Sequence, residues 1–246
     1  MLSNPALNLY HLVEKTYRQS YPNNSYKTSW SITFELTEDL NSPANNKIAL
    51  IESINSMLKL YVDTKKLIEQ NSRLNTERNK KYLNIIGDAI SKIDIDGDMS
   101  HFFDTLNEER LEAFSFLAES IGYHYELNEA TINSEEVDKL IAEVDDLITA
   151  IDESNLPDDA KFILVQNLHN IRESLFICKY SGVDALKPAL EQSLGSLYLN
   201  HQQLEPISNE ENFSRFFQVL ERVNTLCSVG IAVKELALPF FGNLIK

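Results

Sequence analysis

Three observations predict an all-α fold, a bundle of about eight helices. Apolar residues recur at three- and four-residue spacing along most of the chain, the signature of one-sided helices. Seven glycines and seven prolines in 246 residues are too few for the many tight turns of an all-β fold. Only one segment alternates with period two: Trp30, Ile32, Phe34 and Leu36 against Ser31, Thr33 and Glu35. It reads as a short extended or strand-like segment near 30–36, laid on helices or forming half of a small hairpin.

The elements follow in order. Leu9, Leu12, Val13 and Tyr17 predict a helix over 5–19, with Pro5 in its first turn, where a missing N–H costs nothing. Ile51, Ile54, Leu58, Tyr61 and Ile68 predict a helix over 46–70, and a second pattern covers 82–93. With no Pro or Gly across 44–86, one long helix and two helices joined near 71–75 fit equally. Phe102, Phe103, Leu106, Leu111, Phe114 and Leu117 predict a helix over 100–121 that stops near Gly122.

The cleanest helical pattern covers 134–151, where Val137, Leu140, Ile141, Val144, Leu147, Ile148 and Ile151 form one stripe. Asn133 and Glu136 resemble a capping box at its start. Pro157, Asp158 and Asp159 open the next helix, which closes on Ser181-Gly182 with glycine as the C-cap. Asp184 caps another, with Leu186, Leu190, Leu194 and Leu197 on one face and Pro188 in the first turn. Residues 200–209 read as loop, and the pattern from Glu210 onward is apolar nearly all round past Val223. No repeat and no linker appears, so the chain reads as a single helical domain, 1–246. A soft division near 94–133 would separate an N-terminal helical part from a C-terminal bundle.

The net charge of −15 is unevenly placed. Residues 94–160 hold twenty acidic side chains against Arg110 and Lys139, whereas 1–93 hold twelve basic and nine acidic, and 161–246 eight of each. Such a field repels nucleic acid and attracts cations or basic proteins. No nucleic-acid partner is therefore expected. The basic run 59–81 (Lys65, Lys66, Arg73, Arg78, Lys80, Lys81) has almost no aromatic interleaving, only Tyr61 and Tyr82, and reads as a solvated helix face. It could also receive another copy's acidic surface, which leaves a homo-oligomer open.

Candidate chemistry is sparse. Asp94, Asp96 and Asp98 occupy positions 1, 3 and 5 of a helix–loop–helix calcium loop, a spacing that turns three carboxylates toward one cation. Met99 stands where the turn glycine belongs and Thr105 where the bidentate Glu belongs, so the loop lacks its main ligand. No cofactor is expected apart from this Ca2+ reading. His11, His101, His124, His169 and His201 form no i, i+4 pair. His124, between Tyr123 and Tyr125, is either a binding cluster or aromatic packing. Phosphate loops, nucleophile elbows and kinase signatures are all missing, so the reading leans away from an enzyme. Cys178 and Cys227 lie in apolar helix-like runs and read as reduced, buried thiols. The N-terminus has no signal-peptide pattern, and together these predict a cytoplasmic protein.

The leading expectation is a non-enzymatic interaction protein that presents an acidic helical surface to a basic protein partner, with a toxin-neutralising or defence-related helper as one form. Glu143, Asp145, Asp146, Asp152 and Glu153 are the candidate partner-binding residues. A second expectation is a membrane-active effector that releases its apolar C-terminal helix, since 223–245 carries the run 226–233 and the tip Phe240-Phe241. Lys234 and Glu235 interrupt that run, which favours a buried core helix. A third is a helical enzyme or metal-binding protein with a carboxylate site in 94–126.

Overall fold

The computed structural model describes residues 3–36, 43–127 and 134–227. Among them are eleven α-helices and no strand, and a backbone bridge joins Ser25 to Asp98. The all-α expectation holds. Three helices beyond the expected eight arise because 26–33 is helical, 100–121 divides, and 201–204 forms a short helix. The chain folds as two compact units, Met1–Ala130 and Thr131–Lys246.

The first unit opens with α1 (Pro5–Gln19). Asn4 caps it through its side-chain oxygen, which accepts from the backbone N–H groups of Ala6 and Leu7 at 3.1 and 3.3 Å. The Asn4 amide then donates to the carbonyl of Ala118, 2.8 Å away and 114 residues on. One buried side chain so fixes both a helix start and a tertiary contact.

α2 (Tyr26–Thr33) replaces the expected strand-like segment. Tyr26, Trp30 and Phe34, spaced by four, are all buried, while Ile32 is 52 % exposed. Their rings pack in series, 6.2 and 5.6 Å between centroids. The period-two pattern misleads because Trp30 and Phe34 fit an i, i+4 pair equally well, and an isolated strand would leave its backbone unpaired. Thr33 donates to the Ser29 carbonyl, and its hydroxyl meets that of Thr16 at 2.7 Å, tying α2 to α1. The helix ends on Glu35, whose φ of 56° lies in the left-handed region, with Leu36 N–H returning to the Ser31 carbonyl.

α3 (Pro43–Gln70) and α4 (Glu77–Ser91) are separate helices, which resolves the alternative left by the sequence. Asn71 and Thr76 break the run: Asn71 accepts from Arg73 N–H, and Thr76 caps α4 by accepting from Asn79 N–H. The buried stripe of α3 is Leu50, Ile54, Met57, Leu60, Thr64 and Ile68. It is rotated from the expected one, leaving Ile51 50 % exposed. Tyr61 lies over Gly87 so closely that a Cβ there would sit 2.7 Å from the phenol oxygen.

The expected helix over 100–121 divides into α5 (Ser100–Thr105) and α6 (Glu108–Tyr125). Leu106 is extended, and Asn107 caps α6 by accepting from Arg110 N–H at 2.9 Å. Gly122 does not stop the helix. It is buried inside α6, where a Cβ would approach the Asn4 amide nitrogen to 2.9 Å. Glycine here makes room for the α1 cap rather than for a turn.

In the second unit α7 (Ser134–Asp152) buries Val137, Leu140, Ile141, Val144, Leu147 and Ile151, as the pattern predicts. Each such side chain contributes about 1.5–3 kcal/mol relative to exposure. Asn133, the expected cap, lies outside the described residues. α8 (Asp158–Ser181) ends on Gly182, φ 92°, where the glycine C-cap was expected. After a 3-10 turn come α9 (Leu186–Leu199) and α10 (His201–Leu204), the latter where loop was expected because Leu204 and Ile207 are buried. α11 (Glu211–Cys227) is one-sided: it buries Phe213, Phe216, Phe217, Val219, Leu220, Val223 and Cys227. Together α7, α8, α9 and α11 form one core. Beyond Cys227 the candidate membrane segment 223–245 lies outside the described residues.

Candidate functional site

The acidic face of α7 is less available than its sequence implies. Glu143 pairs with Arg222 of α11, and Asp145 pairs with Arg172 of α8, one of its two bonds spanning 3.3 Å. Asp138 meets Lys179 at 2.6 Å. Arg172 also lies over the Phe176 ring, 4.9 Å from its centroid. These pairs join α7 to α8 and α11.

The remaining acids gather where α7 gives way to α8. Asp146, Asp152, Glu153, Asp158 and Asp159 are exposed, and none pairs with a cation among the described residues. Asp158 and Asp159 stand in the first turn of α8, where the positive helix end favours them. Asp152 stands in the last turn of α7, where no basic residue offsets it and the helix end disfavours a carboxylate. Lys161 relieves part of that conflict by donating to the Asp152 carbonyl at 2.8 Å.

Beside these acids α8 exposes an apolar anchor. Phe162 is 68 % exposed, one turn on from Asp158. With Asp152, Lys161, Val165, Gln166 and His169 it lines a shallow groove of about 380 Å³. Aromatic side chains are enriched at the centres of protein interfaces. Sequence reasoning missed Phe162. The signal was present, because it falls off the buried stripe Ala160, Ile163, Leu164, Leu168, Ile171 and Leu175.

Of the three candidate calcium ligands, Asp94 and Asp98 line one small cavity and Asp96 does not. Asp96 turns outward, its side chain 84 % exposed and 3.3 Å from Lys47. Asp98 accepts from the N–H and hydroxyl of Ser100, which hold its carboxyl below the usual range. Asp94 folds over Gly97. Among the described residues no group of three or more His, Cys, Asp or Glu side chains could hold a metal.

Other sequence candidates have structural partners. His124 bonds the Ser120 carbonyl, Tyr125 donates to the Leu67 carbonyl at 2.6 Å, and His101 bonds the Asp88 carbonyl. In the basic run, Lys65, Lys66 and Lys80 each pair with an acid of their own helix. A larger groove of about 570 Å³ lies between α4 and α6, with Arg73 and Arg78 along it and Glu109, Glu112 and the 64 % exposed Phe116 facing them. Both cysteines are free and buried. Burial pushes the Cys178 thiol up to about 12 and that of Cys227 up to about 11, which makes them poor nucleophiles.

No helix among the described residues is long and apolar enough to cross a membrane. No family model, curated protein or solved structure matches the chain.

Proposed function

We propose that the protein is a non-enzymatic, cytoplasmic binding protein that docks a basic protein partner on the α7–α8 junction. Asp146, Asp152, Glu153, Asp158 and Asp159 steer the approach, and Phe162 anchors the bound state. The observation that carries this reading is the exposed ring of Phe162 set among carboxylates that have no internal cation. Carboxylates of this kind raise association rates in a salt-dependent way, whereas the desolvated aromatic sets the dissociation rate. The unbridged thiols fit a reducing compartment.

The test uses polylysine as the basic probe and measures association and dissociation at low and high salt. Amide replacement of the five junction acids should slow association about tenfold or more at low salt, an effect that fades near physiological salt. A control replaces five exposed acids of the first unit, Glu77, Glu108, Glu109, Glu112 and Glu119. Equal losses from both sets would reduce the junction to part of a general acidity and sink the proposal. Phe162→Ala should speed dissociation without changing association.

A further inference from the structure

A cavity of about 30 Å³, the volume of one water molecule or one ion, is lined by Tyr26, Lys92, Asp94, Asp98, His101 and Phe102. Tyr26 is 4 % exposed, and its hydroxyl has no hydrogen-bond partner among the described residues. A buried phenol without a partner is costly, so a guest that satisfies it is favoured. The Asp94 carboxylate, on the same cavity, also makes no hydrogen bond among the described residues. Asp98 commits one oxygen, Oδ1, to Ser100 and leaves Oδ2. The backbone holds this geometry from two sides: Tyr26 N–H donates to the Gly97 carbonyl, and Met99 N–H donates to the carbonyls of Pro22 and Asn24.

We infer that this cavity binds a single hard divalent cation of the calcium type, held by the Asp94 and Asp98 carboxylates and the Tyr26 phenol oxygen. Every donor is oxygen, which selects calcium-like ions over zinc-like ones. The one nearby nitrogen ligand, His101 Nε2, is bonded to the Asp88 carbonyl at 2.9 Å. Two carboxylates against the ammonium of Lys92 leave the lining net negative, which favours a cation over water. Asp96, the middle member of the sequence motif, takes no part. With only two carboxylates the affinity is in the range of about 0.1–1 mM.

Trp30, the only tryptophan, reports on the site: its ring packs 6.2 Å from Tyr26 and 5.7 Å from Phe102, centroid to centroid. Calcium chloride titrated into the full chain at constant ionic strength should change Trp30 emission saturably, with a midpoint near that affinity. Asp94→Asn should weaken the midpoint at least about tenfold and Tyr26→Phe by a smaller factor, while Asp96→Asn leaves it unchanged. Lys92→Gln, an exposed position that tolerates change, should tighten it about two- to fivefold by removing a like charge. A flat titration to about 10 mM, tenfold above the expected range, would mean that water alone occupies the cavity and overturns the inference. So would an equal response to potassium, or a response that Asp94→Asn leaves intact. If circular dichroism shows that Asp94→Asn loses helix, Lys92→Gln decides, and an unchanged midpoint there overturns the inference as well.

Discussion

The two units reach a packed interior by different means. Among the described residues, eight of the ten buried polar side chains belong to the first unit: Ser3, Asn4, Thr16, Ser20, Ser29, Thr33, Ser53 and Thr64. The second holds only Asn167 and Ser193, within a core of aliphatic stripes from α7, α8 and α9 and the phenylalanines of α11. Hydrogen bonds are directional and costly to leave unmade, so the first unit fixes the register of α1, α2 and α6 through a few specific atoms. Apolar packing is non-directional, and the second unit spreads its stability over many interchangeable contacts. Single polar deletions should therefore injure the first unit out of proportion to the atoms removed. The second should resist conservative change and fail when charge is buried.

The largest expected effect is in the second unit. Val144 is fully buried in the α7 stripe, and Val144→Asp would place a carboxylate there without a partner, at a cost of about 3–5 kcal/mol. Its neighbour Asp145 is half-exposed and paired with Arg172, so Asp145→Asn should cost no more than about 1 kcal/mol. Urea melts of the two variants compare the costs directly, and similar losses would mean that the helix phase is wrong.

Next comes Asn4→Ala in the first unit. It removes the cap on two backbone N–H groups and the side-chain donor that ties α1 to the Ala118 carbonyl, for a loss of about 1–2 kcal/mol. A loss below about 0.5 kcal/mol in the same assay would show that the polar ties of this unit are ornamental.

Alkaline pH should separate the units in a third way. The folded-state values of the Cys178 and Cys227 thiols and of the Tyr26 phenol are all raised. Their stabilisation is thus complete below the unfolded values, about 9 for the thiols and about 10 for the phenol, and declines as pH rises toward 11–12. Thermal melts of the wild type should lose stability from about pH 9 upward. Replacing both cysteines with alanine should delay that onset by about one pH unit, leaving the decline due to the raised phenols Tyr10, Tyr26 and Tyr61.

The smallest effect is also the sharpest probe of directionality. Thr16 and Thr33 share a buried hydroxyl contact at 2.7 Å. Either single change to valine should cost about 1 kcal/mol, and the double variant less than the sum, because the second change leaves no partner stranded. Strict additivity in a double-mutant cycle would show that the two hydroxyls are not coupled.

The candidate docking surface was legible only in outline. Charge counting located the acidic stretch, but it could not tell Glu143 and Asp145, which Arg222 and Arg172 neutralise, from Asp152 and Glu153, which stay exposed. Those partners lie 79 and 27 residues away, beyond any local pattern.

Local rules fixed what depends on neighbours in the chain. The all-α class, the α7 stripe, the Asn4–Pro5 start of α1 and the glycine stop at 182 all rest on spacing or dihedral preference within one or two turns. Tertiary contact decided the rest. It made 26–33 a helix because Tyr26, Trp30 and Phe34 find a common pocket, and it rotated α3 so that Met57 rather than Ile51 is buried. It also kept Gly122 inside α6 to admit Asn4, and brought Tyr26 to Asp94 across 68 residues. A periodic pattern states which residues share a face. What that face meets is set by the shape and hydrogen-bonding needs of the other elements packed against it.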